Sequence, residues 1–527
     1  MSFFIVPIID PDLENILGQI VGEDFSLSRD RAQLLITQKV MRHLKRFRDD
    51  TKIVIERNYV DKVYRDSYYT YYASKRTSYG RDAIKLSFFS DVADQIKIDT
   101  FKKTDKVAFL EESYRGFIVL RPTPPYIVGR SAIAPNLLKS NPFKTCLAYM
   151  PSTTVGLKVC TQAFPFSSQD TETISCAETM IWALMEYYGN KYAEYSPVLP
   201  SQILNILKQN IVERQLPSSG LSVDSMSYLL KECGFGPKLY SREEFASDFN
   251  VLLSCYVESG IPVIIALDNA EAIKNKKIER LIGHAVLCIG HEDITEDMVR
   301  TITSEDFPLK NGKGVLKIKD WDTISKKFIF IDDNFPVYQA DSLDMPTKRY
   351  LDIPKSEYTD AKAKKKADKE WAACKISHFI VPLYKKIYLE AYVAKKFVKE
   401  LLSSKYFEYA DNKEIHIRTF LCSARSYRKY VMLSDMPDNL KSLIMEKSFP
   451  KFVWITEVTS SWTAFGRTNG VVILDATEAN TLDYRPLIFA ICNGFIVQYD
   501  KNTKSIASCQ ITGCDFSVFD KNLKKLS

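Results

Sequence analysis

The stretch that most constrains this chain is residues 164–190, FPFSSQDTETISCAETMIWALMEYYGN, where a polar, helix-breaking run gives way abruptly to an apolar one. Ser175 predicts an N-cap, and Met180, Ile181, Trp182, Leu184 and Met185 predict a helix with a wide buried stripe, so something must pack on it. Cys176 then falls in the first turn, where unbonded backbone N–H groups and the macrodipole favour an anion, here a thiolate. Alone this placement is weak, because a free cysteine beside a helix is more often a small buried hydrophobe than a nucleophile. Its partners must decide.

A length of 527 residues, at about 100 to 200 residues per domain, predicts two to four domains. The net charge of +7 is small for that length and arises from abundant charges of both signs, which by itself implies no nucleic acid. No basic segment precedes the first apolar residues, and Asp10, Asp12 and Glu14 interrupt them, so no signal peptide is expected. No apolar run is long enough to span a bilayer, and a cytoplasmic protein without a membrane span is the expectation. Eleven cysteines, an odd number without a Cys-x-x-Cys pair, form neither a disulfide framework nor a zinc pattern; no metal or other cofactor is expected.

In chain order, an N-terminal α+β domain is expected over residues 1–155. Within it, residues 31–47 repeat Leu34, Leu35, Val40, Met41, Leu44 and Phe47 largely at helical steps, while 107–110, 116–120 and the PPYIVGR run read as strands. Residues 59–81 interleave seven tyrosines with Arg65, Lys75, Arg76 and Arg81, a composition able to stack bases. The modest net charge favours a polar strand or loop covering a domain face instead.

Residues 156–350 follow the cysteine helix with two more helical stretches. One is 201–215, with Ile203, Leu204, Ile206, Leu207 and Ile211 on its apolar face; the other follows Gly220-Leu221-Ser222, with Met226, Leu229 and Leu230. Then the period changes, and 261–267, 285–289 and 328–331 are short β-rich runs expected in one sheet. Helices first and a sheet afterwards is an α+β order. The run DAKAKKKADKE at 360–370 reads as a solvated helix or a surface connection, and 351–374 is expected to be a charged connection. Residues 375–527 read as a C-terminal α/β or α+β domain, with a long amphipathic helix at 384–402 and strands at 452–457, 470–474 and 495–499.

A cysteine nucleophile needs a base, an orienter for that base, and donors for the oxyanion. The sequence GHAVLCIGH at 283–291 puts His284 at the start of a buried strand, where an imidazole can face a cleft while its neighbours hold it. FIFIDDNFP at 328–336 runs an apolar strand into Asp332, Asp333 and Asn334, a group that can hold the second imidazole nitrogen, although strand ends favour Asp and Asn as turn residues anyway. Gln169, seven positions before Cys176, can aim its side-chain N–H at the oxyanion beside the Cys176 backbone N–H.

The order Gln, Cys at a helix start, His at a strand start, then Asp or Asn at a strand end resembles the papain-like cysteine peptidases over about residues 160–345. The His284-Ala285-Val286 strand resembles that family's own. Ala177 and Glu178 in place of a tryptophan, the compact span and Tyr187-Tyr188-Gly189 at the helix end are more similar to the bacteriocin-processing, double-glycine type.

The resemblance implies a papain-like core, N-terminal helices followed by an antiparallel sheet, flanked by α+β domains. It also implies an intracellular thiol peptidase with Cys176 as nucleophile, His284 as base, Asp333 as orienter with Asp332 as fallback, and Gln169 as the oxyanion glutamine. Phe335 falls where the family keeps an aromatic near the histidine. The chain departs from the family at Gln169, one residue further from the cysteine than usual, a spacing that needs a bulge or aligns Asp170 instead. It also lacks the membrane spans and phosphate-binding loop of the bacteriocin exporters, so no export role follows.

The implied partners are a protein or peptide substrate and a regulatory protein acting through the flanking domains, not nucleic acid. Transglutaminases and related amidases share the Cys, His, Asp order, but the step of 49 positions from His284 to Asp333 is wider than those families tend to use. A papain-like scaffold reused for binding, with the triad idle, is the non-enzymatic alternative.

Overall fold

The runs around 263–268 and 283–292 are apolar at nearly every position, and the two-residue period of a strand sends successive side chains to opposite faces. Ile264, Ala285, Leu287 and Ile289 join one core, and Val263, Ile265, Leu267, Val286 and Cys288 join another. A sheet buried on both faces needs a layer on each side of it. The computed structural model has that build. It describes residues 3–76, 79–90, 96–170, 172, 175–208, 221–310, 314–409, 413–460, 466–500, 503, 505–511 and 514–526.

The middle sheet runs Gln339–Ser342, Lys327–Ile331, Gly283–Glu292, Val263–Asp268, Lys375–Tyr384, Phe235–Ser241, and Phe143–Thr145 also pairs with Gly283–Glu292. On one side lies a seven-stranded sheet in the order Phe3–Pro7, Lys52–Tyr59, Ala83–Phe89, Tyr114–Leu120, Val128–Ile133, Leu157–Phe166, Ala148–Thr154. On the other lies an eight-stranded sheet that begins Ser304–Pro308, Val315–Asp320, Glu414–Ser423, Phe452–Thr459. It continues through Gly470–Asp475, Leu487–Cys492, Phe495–Asp500 and Ser505–Gln510. Among the described residues the pairings of these sheets are antiparallel except that of Val315–Asp320 with Glu414–Ser423, so the molecule is a mixed, α+β structure.

Helices fill the spaces between sheets. The cysteine helix, Cys176–Lys191, shares one core with both the seven-stranded and the middle sheet, and every residue from Ala177 to Tyr188 is buried. A stripe was expected; sheets on both sides bury the whole circumference, which suits a helix apolar nearly all round. Helices Phe249–Glu258 and Ala391–Leu402 fill the core between the middle and eight-stranded sheets. Helices Ala424–Leu433 and Asp438–Glu446 cover the far face of the latter.

The boundaries drawn from sequence cut across these sheets. Leu157–Phe166, beyond residue 155, pairs with Val128–Ile133 and Ala148–Thr154. Ser304–Pro308 and Val315–Asp320 leave the middle region for the eight-stranded sheet, and Lys375–Tyr384 comes back from the C-terminal region to lie between Val263–Asp268 and Phe235–Ser241. Composition reports that a segment is a strand, not which sheet supplies its partner. The charged run forms a helix, Ala361–Ala372, whose Asp360 cap accepts the Ala363 N–H at 2.7 Å.

Three local expectations change. Within 59–81, Asp61 caps a helix at Lys62–Thr70, accepting the Val63 and Tyr64 N–H groups at 3.1 and 2.9 Å, in place of a strand or loop. Residues 107–110 open the helix Val107–Ser113 rather than a strand. The helix expected at 384–402 starts only at Ala391, because Tyr384 ends a strand. The helical stretch 31–47 is interrupted by a π turn at Ile36–Val40. The three β-rich runs of the middle region are neighbours in one sheet, as expected. Ile211 and Gly220 lie outside the described residues.

Candidate active site

Ser175 is the N-cap of the cysteine helix, with extended backbone at φ −88°. Glu178 reaches back to accept the Ser175 backbone N–H at 2.7 Å and also takes its hydroxyl, so this fully buried carboxylate sits at the positive end of the helix. Thr179 adds a bond from its hydroxyl to the Ser175 carbonyl at 2.8 Å. Cys176, half-buried, is the first helical residue, a position whose backbone N–H has no partner within the helix.

His284 enters from the first residues of Gly283–Glu292, opposite Leu267, and is buried. Its Nε2 lies 3.1 Å from Asp332 Oδ1 and 3.0 Å from the Tyr350 hydroxyl, and the ring interacts electrostatically with the Cys176 side chain. With Nε2 occupied by Asp332 and Tyr350, Nδ1 is the nitrogen left for the sulfur. Burial opposes the charged ring, but the Asp332 carboxylate, helped by Cys176, raises the His284 pKa well above its ordinary value. These neighbours favour the imidazolium form.

The two carboxylates at the strand end have opposite surroundings. Asp332 Oδ2 takes Arg349 Nε at 2.8 Å and Nη2 at 2.6 Å, and Oδ1 takes the Asn334 backbone N–H at 3.1 Å. Burial works against this charge, yet Arg349 and His284 hold the Asp332 carboxyl well below the usual carboxylate range. Asp333 Oδ1 is 3.7 Å from His284 Nε2, and neither Asp333 oxygen makes a hydrogen bond of good geometry. Burial, with the Asp332 charge beside it, pushes the Asp333 carboxyl up to about 7. Below about pH 7 the pair thus carries one negative charge, on Asp332.

Asp332, the fallback, is therefore the nearer of the two to His284 Nε2, at 3.1 Å against 3.7 Å for Asp333. Neighbouring residues on extended backbone point to opposite sides, so one of the two faces the imidazole squarely, and the choice turns on where the strand ends.

Three side chains around His284 escaped sequence reasoning. Arg349 and Tyr350 come from the short turn Lys348–Leu351, and Trp371 from the charged helix. The Tyr350 ring stacks on Trp371 at 3.6 Å between centroids, and His284 sets its edge against both at 6.0 Å. Phe335, expected near the histidine, packs on Tyr350 at 4.7 Å instead. A lone tryptophan directly after the run DAKAKKKADKE was the available signal, since a solvated connection has no use for one.

Gln169 is half-buried, and Arg121 Nη2 holds the Ser168 and Gln169 carbonyls at 2.7 and 2.9 Å. Its Nε2 donates to Asn334 Oδ1 at 3.5 Å, and Asn334 Nδ2 donates to the Tyr350 hydroxyl at 3.2 Å. Gln169 therefore joins the network from the acid side, and its described hydrogen bonds include none to Cys176.

His284, Asp332 and Asp333 bring ligand-type atoms within 4.8 Å of one another, a spacing that could hold a metal ion. The Arg349 guanidinium on Asp332 already supplies the positive charge there and would repel a second cation. Among the described residues no helix is long and apolar enough to cross a membrane. Compared with known proteins, the chain matches no protein-family model and no curated protein sequence.

Proposed function

We propose that the chain is a thiol peptidase acting on a protein or peptide substrate. The observation that carries this reading is a single imidazole, His284, set between Cys176 at a helix start, which favours its charged form, and Asp332 at 3.1 Å. The Cys176 sulfur, as thiolate, attacks the scissile carbonyl carbon, and the carbonyl π electrons move to oxygen. The Cys176 N–H donates to that oxyanion, and Gln169 adds a second donor if its amide leaves Asn334. Protonated His284 gives its proton to the departing amine as the C–N bond breaks, leaving a thioester. His284 then takes a proton from water, whose oxygen attacks the thioester, and keeps it as the C–S bond breaks, which restores the thiolate and the protonated imidazole. Asp332, locked by Arg349, keeps the imidazole oriented through both halves.

A peptide chloromethyl ketone or epoxide probe tests the reading. Labelling should map to Cys176, vanish in Cys176→Ala, and slow by about 10²- to 10⁴-fold in His284→Ala. Labelling spread over the other cysteines, or indifferent to His284→Ala, would sink it. A chelator should leave the rate unchanged; a rate restored by added zinc would favour a metal at the acid pair. New protein N-termini that appear in a lysate with the wild type but not with Cys176→Ala would identify substrates.

A further inference from the structure

The strand Leu157–Phe166 ends short of the cysteine helix, and the chain between them carries Gln169. What fixes that chain is a buried arginine. Arg121 follows the strand Tyr114–Leu120 and folds back on its own turn: its backbone N–H bonds the Ile127 carbonyl at 2.8 Å, and its side-chain Nε bonds the Tyr126 carbonyl at 3.1 Å. The guanidinium is thus held by the turn that joins two paired strands of the seven-stranded sheet, and its Nη2 reaches from there to the Ser168 carbonyl at 2.7 Å and the Gln169 carbonyl at 2.9 Å.

Two features set this contact apart from ordinary packing. Successive carbonyls of a straight strand face opposite ways, so two of them on one nitrogen mean that the backbone bends at Gln169, with one Arg121 N–H for each arm of the bend. Arg121 is also buried, with no ion pair among the described residues, and its described hydrogen bonds all go to neutral oxygens. A buried cation without a counter-charge destabilises a fold, and such departures are expected where function needs them. Further along, Glu172 takes the Tyr71 hydroxyl and, at 3.1 Å, Lys75 Nζ, but that ion pair faces solvent and is screened, so the firmer grip is that of Arg121.

The Gln169 side chain, by contrast, is held lightly, since its bond to Asn334 at 3.5 Å is at the long limit for a hydrogen bond. We propose that Arg121 is a positioning residue of the Cys176 site, clamping the Gln169 backbone so that only the amide has to turn from Asn334 to the oxyanion. In this role, which rests on the peptidase reading, Arg121 acts only through Gln169. A fixed backbone with a loose side chain suits such a donor, because the swing then needs one side-chain rotation and not the ordering of a loop.

Two reagents separate this role from a merely structural one. A peptide chloromethyl ketone forms a tetrahedral adduct whose oxyanion needs donors, whereas iodoacetamide alkylates the thiolate by direct displacement of iodide at carbon and forms no oxyanion. Arg121→Lys keeps the charge but not the planar fork that serves Tyr126, Ser168 and Gln169 together. Ketone labelling of Cys176 should slow by about 10- to 10²-fold, while iodoacetamide labelling stays within about twofold of the wild type. Gln169→Ala should show the same split, and on that background Arg121→Lys should change the ketone rate by less than about twofold, because no amide is left to position. Urea melts accompany the rates; should Arg121→Lys prove unfolded, Arg121→Gln, which removes the buried charge and keeps a donor for one carbonyl, is measured with the same expectation. Equal slowing with both reagents, full further slowing on the Gln169→Ala background, or wild-type rates in Arg121→Lys or Gln169→Ala would overturn the proposal and leave the peptidase reading standing. A wild type whose Cys176 is not selectively labelled by the ketone would remove both.

Discussion

Asp332 and Asp333 are chemically identical neighbours made different by what faces them. An ordinary aspartate has a pKa near 3.9, while folded Asp333 is pushed up to about 7 by burial and the Asp332 charge. Between those values the folded chain keeps a proton that the unfolded chain has lost, so stability falls as pH rises from about 4 to about 7 and stays low above. Asp333→Asn is neutral at every pH and removes that slope. At pH 8 the variant should be more stable than the wild type by at most about 4 kcal/mol, and near pH 4 the gain should disappear. Urea melts at the two pH values read this, and parallel curves would contradict it. Asp332→Asn should behave oppositely, slowing probe labelling by about 10²-fold or more, because the imidazolium loses its counter-charge. It should also destabilise by about 3 kcal/mol, since Arg349 would keep only Asp341, 2.5 Å away.

At the scale of elements, the cysteine helix and the strands that carry His284 and Asp332 were legible because each is an apolar run with a polar stop at its end. Ser175 before MIWAL, and the Asp pair after FIFI, are local signals that no distant contact has to complete. What was not legible depends on distant partners. Tyr350 and Trp371 take their place only by stacking on each other beside His284, and the helix Lys62–Thr70 buries Val63 in a core shared with strands from other parts of the chain. Which of Asp332 and Asp333 lies nearer His284 was not legible, because strand ends shift by a residue or two and one residue reverses the face. Glu178 tests the helix itself. Glu178→Ala removes the carboxylate that accepts the Ser175 N–H, and should cost about 1 to 2 kcal/mol in thermal or urea unfolding. If instead Glu178→Ala unfolds like the wild type, the helix start is held by other contacts.

For the whole molecule, the interleaving of strands bears on how far the candidate active site is a detachable module. The middle sheet takes Lys375–Tyr384 from the C-terminal region between two of its own strands, and gives Ser304–Pro308 and Val315–Asp320 to the eight-stranded sheet. The cysteine helix, meanwhile, is buried against the seven-stranded sheet on its other side. A fragment of residues 156–350 would therefore leave Phe235–Ser241 and Val263–Asp268 unpaired along the gap, with open edges and one side of an apolar helix in water. It should show no cooperative urea transition and no selective labelling of Cys176. Residues 1–350 co-expressed with 351–527 restore the missing strand and both covering layers. That pair should co-purify, unfold in one transition, and label at Cys176. Cooperative folding and labelling of 156–350 alone would mean that the site needs only its own segment, and that the strand exchange is decoration on a self-sufficient core.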